Sequence, residues 1–101
     1  MLRIATLVTA TLIFSHSAYA QEVIKVSRAE YAADVSNSAD CTDKLGQLCD
    51  GKSRCVVKAT NSLCGDPKDG IVKTLTVEFS CGKTGKQVSA RENSNATLNC
   101  Q

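Results

Sequence analysis

From Val72 to Cys81 apolar and polar residues alternate: Leu75, Val77, Phe79 and Cys81 fall on one face, and Thr74, Thr76, Glu78 and Ser80 on the other. A period of two over this length predicts a half-buried strand with one core face. The stretch Glu22 to Arg28 (EVIKVSR) is rich in β-formers and predicts a first strand running on to Tyr31. Asp34 to Asp43 is polar and turn-like. Within Thr42 to Cys49, Leu45 and Leu48 are three apart, and Cys41, Leu45 and Cys49 follow at four-residue steps. That is the spacing of one helix face, so one or two helical turns are expected, ended by Asp50-Gly51. Arg54 to Ala59 predicts a short strand and Asn61 to Gly70 a loop holding the only proline, Pro67. Gly82 to Gly85 reads as a turn into a strand over Lys86 to Arg91. Asn93 to Asn95 reads as a turn before a last strand, Ala96 to Cys100. The pattern predicts a small disulfide-rich, β-rich (α+β) domain of antiparallel strands with one short helix.

The first twenty residues stand apart. Arg3 precedes an uncharged apolar run, Ile4 to Phe14, and Ala18-Tyr19-Ala20 fits a small-x-small cleavage site. The run is too short to span a bilayer. A signal peptide over residues 1–20 is expected, with a secreted or periplasmic mature chain from Gln21, one domain at most.

Six cysteines follow: Cys41, Cys49, Cys55, Cys64, Cys81 and Cys100. An even count in a short exported chain reads as a disulfide framework, because a domain this small buries too little surface to be comfortably stable without one. Zinc is disfavoured. There is no C-x-x-C pair, and the single histidine, His16, lies in the leader. The absence of histidine after residue 20 also removes imidazole-based nucleophile activation. Asp66, Asp69 and Glu92 are carboxylates, but a domain of this size has little room for a deep, dry cleft, so an enzyme is not expected. After residue 20, eleven Lys and Arg are interspersed with ten Asp and Glu, and the aromatics are only Tyr31 and Phe79. Nucleic-acid binding needs a concentrated basic face, so it is excluded as an expectation. Carbohydrate binding demands less: fixed donors and acceptors, with an apolar patch for the ring face. Asn61, Asp66, Lys73 and Glu92 have that chemistry, although composition alone does not select them.

An ordered set of short motifs does. Ala29-Glu30-Tyr31-Ala32 is followed by Cys49 through Val56 (CDGKSRCV), Ala59-Thr60-Asn61-Ser62 and Leu63-Cys64-Gly65-Asp66-Pro67-Lys68. Then come Gly70-Ile71-Val72-Lys73-Thr74-Leu75 and a strand ending at Cys81. This order resembles the rhamnose- and galactose-binding lectin domain of the sea-urchin-egg-lectin (SUEL) type, also found in latrophilins, over about fifty residues. That family normally opens with a strand, approximately Cys-Glu-Gly-Ser, a short linker and Leu-x-Cys, which is missing before Val23. Arg91 to Cys100 (RENSNATLNC) fits that segment with Arg91 in place of the first cysteine, so the chain resembles a circular permutant of the domain. A truncated tandem lectin is the other reading of this end.

The resemblance implies a metal- and cofactor-free lectin binding rhamnose or galactose-like sugars. Its site residues carry over as Tyr31, Asn61, Asp66, Gly70, Lys73 and Glu92. It implies a Cys81–Cys100 bridge if the permutation holds, and we take Cys49–Cys55 and Cys41–Cys64 for the rest of the fifteen possible pairings. Each site residue also has a plain structural role open to it: Tyr31 as core, Asn61 and Asp66 as turn formers, Gly70 as a turn glycine, Lys73 and Glu92 as solvated charges. Departures from the family pattern are Ala32 where a glycine is usual, Lys68 where a cysteine follows Asp-Pro, and Val72 and Thr74 in place of aromatics. These bear on sugar preference more than on fold. The partner expected first is a mono- or oligosaccharide. The alternative is the same fold used to bind a glycoprotein or protein receptor as an adhesion or inhibitor module. A disulfide-rich toxin or inhibitor is a third reading. Asn95-Ala96-Thr97 is a glycosylation acceptor sequence for a eukaryotic secretory route.

Overall fold

The computed structural model describes residues 21–101, and the signal peptide expected over residues 1–20 lies outside the described residues. The strand expected from alternation is β4 (Thr74–Cys81), with Leu75, Val77, Phe79 and Cys81 buried. It pairs antiparallel with β1 (Ile24–Asp34) on one side and β5 (Thr84–Arg91) on the other. β2 (Asn37–Asp40) pairs with the far edge of β1, giving a four-stranded sheet in the order β2-β1-β4-β5. A second, two-stranded sheet joins β3 (Arg54–Lys58) to β6 (Asn95–Asn99). Helix α1 (Thr42–Cys49) packs on β1, and a single-turn helix, α2 (Asn61–Cys64), follows β3.

Two expectations are corrected here. The polar stretch 34–43 contains strand β2, which owes its form to pairing with β1 rather than to its own residues (Asn-Ser-Ala-Asp). Its hairpin is closed by Asp34, whose Oδ1 accepts from the N–H groups of Ser36 and Asn37 at 2.9 Å and from Asn37 Nδ2 at 2.9 Å. These bonds hold the Asp34 carboxyl below its ordinary 3.8. The loop 61–70 begins with the turn of α2, capped by Thr60, whose Oγ1 accepts from Leu63 N at 3.2 Å.

β1 also contains a bulge. Val26 faces Phe79 and Arg28 faces Glu78, so Ser27 is the extra residue, its Oγ donating to Glu78 O at 3.0 Å. Ile24 and Val26 are buried on the even phase, and Ala29 and Tyr31 on the odd. The inserted residue lets both pairs reach one core. Asp50, just past α1, locks this point: its Oδ1 accepts from Val26 N at 2.7 Å and its Oδ2 meets Lys25 Nζ at 3.2 Å.

The bridges are Cys41–Cys64, Cys49–Cys55 and Cys81–Cys100, the three pairs expected. They tie the start of α1 to α2, its end to β3, and the end of β4 to the residue after β6. Leu45 and Cys49 of α1 are buried as the four-residue step predicts, whereas Leu48 is 39% exposed. The core is filled mainly by Tyr31, Leu45, Leu75, Val77, Phe79 and Leu98.

Candidate functional site

Lys73 stands just before β4 and is only 1% exposed, the one buried charged residue among those described. An unpaired ammonium at that depth is strongly disfavoured. Lys73 is not unpaired: Nζ lies 2.5 Å from Asp66 Oδ1 and 3.5 Å from Glu92 Oε1. Asp66 comes from the loop after α2 and Glu92 from the turn after β5, so three separate segments meet at one nitrogen.

The backbone holds this meeting in place. Lys73 N–H donates to Glu92 Oε1 at 3.2 Å, while Glu92 N–H donates to Lys73 O at 2.8 Å. Asn93, at φ 67°, turns the chain from β5 towards β6, and its N–H donates to Ala59 O at 2.6 Å. That bond brings the Glu92 turn against the segment bearing Thr60 and Asn61. Asn61 opens α2, and its Oδ1 accepts from the Tyr31 hydroxyl at 2.8 Å. Tyr31 is itself fully buried on β1. Its hydroxyl is close enough to Glu92 for the carboxylate charge to act on it.

Of the six residues carried over by resemblance, Asp66, Lys73 and Glu92 form one bonded group and Tyr31 with Asn61 a second, the two brought side by side as one cluster. Gly70 stands in the loop between Asp66 and Lys73 at φ 76°, where its freedom to adopt positive φ turns the chain. The cluster is polarised outward. The Lys73 side chain is 2% accessible, against 35% for Asp66 and 20% for Glu92. A buried ammonium thus fixes two partly exposed carboxylates, whose remaining lone pairs can accept from hydroxyl groups. Thr60 and Asn93 position the cluster and were not singled out from the sequence. Thr-Asn-Ser as a helix cap and Asn-Ser-Asn as a turn are the signals that mark them.

Hydrogen bonding to Asp66 raises the Lys73 pKa above 10.5, and burial, aided by the Glu92 charge, raises Tyr31 above 10.0. The folded state holds both protons more tightly than the unfolded chain does. Stability from these groups is complete below those ordinary values and is lost as pH rises through the folded ones. The melting temperature is therefore expected to hold from neutral pH to about pH 9 and then to fall. Tyr31→Phe should soften that alkaline fall, which calorimetry across the range would read.

The fold and cluster together define a small disulfide-stapled β domain with a lysine-centred polar site. The chain is similar to curated lectins. It is 36% identical over 63 residues to a rhamnose-binding lectin of Silurus asotus, covering 62% of this chain and 20% of that protein. It is 42% identical over 45 residues to the L-rhamnose-binding lectin SML of Scomberomorus niphonius, covering 42% of this chain and 22% of that protein. It is 52% identical over 44 residues to a D-galactoside-specific lectin of the sea urchin Heliocidaris crassispina, covering 44% of this chain and 42% of that protein. These matches bear out the resemblance to a SUEL-type lectin domain. The chain spans between a fifth and about two-fifths of the length of these relatives. No family model matches the chain, and no solved structure matches it.

Proposed function

We propose that this chain is an exported, non-catalytic sugar-binding domain that takes a rhamnose- or galactose-like sugar at the Lys73 cluster without a metal. The observation that carries the reading is the convergence of Asp66 and Glu92 on buried Lys73. In this reading Asp66 and Glu92 accept from neighbouring sugar hydroxyls, Asn61 adds an amide, and Lys73 fixes the carboxylates and supplies a remaining N–H. Tyr31 acts from below, holding Asn61. Ile71 and Val72, each about half exposed, offer apolar surface beside Lys73 in the chain for a ring face. Export is supported by the three bridges and the lectin relatives. No helix among the described residues is long and apolar enough to cross a membrane.

Arg91 to Cys100 stands in for the family's opening segment. Three observations support this permutation: Glu92 sits in the cluster, Cys100 bridges Cys81, and the two ends of the described chain meet. Ile24 N–H donates to Lys52 O and Cys100 N–H to Ser53 O, both at 2.8 Å, so β1 starts and β6 finishes at neighbouring residues of one turn. Closely placed termini are what a permuted connection requires.

Binding at one such shallow site is expected near the millimolar scale, about −4 kcal/mol. The test is titration of the oxidised chain, freed of residues 1–20, with L-rhamnose and D-galactose by amide NMR. Saturable shifts confined to the neighbourhood of Asn61, Asp66, Lys73 and Glu92 are expected. A folded spectrum indifferent to both sugars at tens of millimolar, roughly ten times that scale, sinks the proposal. One observation favours a second reading, protein recognition on the same fold: Lys73 is so deeply covered that its ammonium is almost spent on Asp66 and Glu92.

A further inference from the structure

β3 has one partner and two edges. Its ladder with β6 runs from Arg54 opposite Asn99 to Lys58 opposite Asn95. Just beyond each end, Cys100 N–H donates to Ser53 O and Ala59 N–H donates to Ser94 O. In an antiparallel ladder bonded residues alternate, so Ser53, Cys55, Val57 and Ala59 turn their amide groups towards β6. Arg54, Val56 and Lys58 turn theirs the opposite way, where no strand lies among those described. The same three side chains point away from the core: all are exposed, Val56 at 48%. An open groove of about 420 Å³ runs beside this edge, lined by Leu48, Val56 and Leu63 with Lys52 and Lys58. The edge thus carries unused backbone donors and acceptors, an apolar centre and a cation on either side.

We propose that the free edge of β3 is a docking site for an extended segment of another protein. That segment would add as a strand and carry acidic side chains on both sides of an apolar one. Charge complementarity selects this occupant. Two copies of β3 paired antiparallel about Val56 would set Arg54 of each against Lys58 of the other, and like charges directly opposite destabilise a ladder. A strand bearing Glu opposite Arg54 and Lys58, with Val opposite Val56, turns both repulsions into attractions. Backbone bonds supply the affinity and the alternate side chains the selection, as in other cases of strand addition. The proposal does not depend on sugar binding.

The test uses the oxidised chain and a blocked heptapeptide, Thr-Glu-Thr-Val-Thr-Glu-Thr, followed by amide NMR. Binding is expected to shift Arg54, Val56 and Lys58, and to slow hydrogen exchange at their N–H groups. N-methylation at the central Val of the peptide, whose N–H faces β3, should weaken binding about tenfold. Methylation at the neighbouring Thr, whose N–H faces away, should leave it unchanged. These arms need no change to the protein, so a variant that fails to fold cannot obscure the answer. Arg54→Glu with Lys58→Glu should then reverse the preference to the matching peptide with Lys in place of Glu. Absence of binding overturns the proposal, as do equal losses from both methylations or shifts centred elsewhere. A concentration-dependent dimer abolished by Val56→Pro would also overturn it, by assigning the edge to a second copy.

Discussion

Exchange of Lys73 for methionine is expected to remove saturable binding of L-rhamnose and D-galactose at least about tenfold, and to lower the melting temperature at neutral pH. Methionine matches the length and apolar stem of lysine, so packing around the stem is largely kept. What disappears is the ammonium that holds Asp66 at 2.5 Å and Glu92 at 3.5 Å. Two carboxylates are then left facing one vacated point. The loss of that charge pairing is what lowers the stability of Lys73→Met. Asp66→Asn keeps the shape and one acceptor but removes the charge nearest buried Lys73, so stability should fall along with sugar affinity. Thermal melts at neutral pH, read beside the NMR titration, check both. A Lys73→Met chain that binds sugar as well as the parent would exclude the lysine cluster from recognition.

The second large effect concerns Cys81–Cys100. Replacing both with serine is expected to cost about 3 kcal/mol, from release of loop-closure entropy over a sequence separation of 19 residues. For a domain of this size that is roughly 12–24 °C in melting temperature. The bridge matters beyond its entropy, because β6 does not belong to the four-stranded sheet. Between β4 and the end of the chain it is the covalent tie linking the two sheets, and it holds the far side of the turn that presents Glu92. Circular dichroism melts of the oxidised parent and the double variant give the number. A loss below about 1 kcal/mol would show that the β3–β6 pair holds itself in place without the bridge.

Elements with a single buried face were legible in the sequence. β4 alternates because one side meets the core and the other does not, and α1 places Leu45 and Cys49 inward at helical spacing. β2 was hidden because nothing in Asn-Ser-Ala-Asp prefers a strand, and its shape is imposed by β1. The bulge at Ser27 left a trace that was passed over: the buried residues change phase between Val26 and Ala29, with Ser27 and Arg28 both polar in between. The Lys73 cluster could not be read from pattern at all. A lysine beside a strand is ordinarily solvated, and its partners lie in other loops. Only the likeness to lectins brought those residues into one list. The leading cysteine pair, Cys81–Cys100, likewise came through that likeness.

Placement of the start of β1 and the residue after β6 against Lys52 and Ser53 has a mechanical consequence. Ile24 pairs with Cys81, and Cys81 is bonded to Cys100, so Ile24 and Cys100 are fastened to each other across a single point of the ladder. A pull applied at Ile24 and Cys100 opens β1 from β4 one rung at a time, the soft direction for a sheet. Anchored by one end and loaded through the opposite face, the same body meets the force along its strands, where many rungs share it.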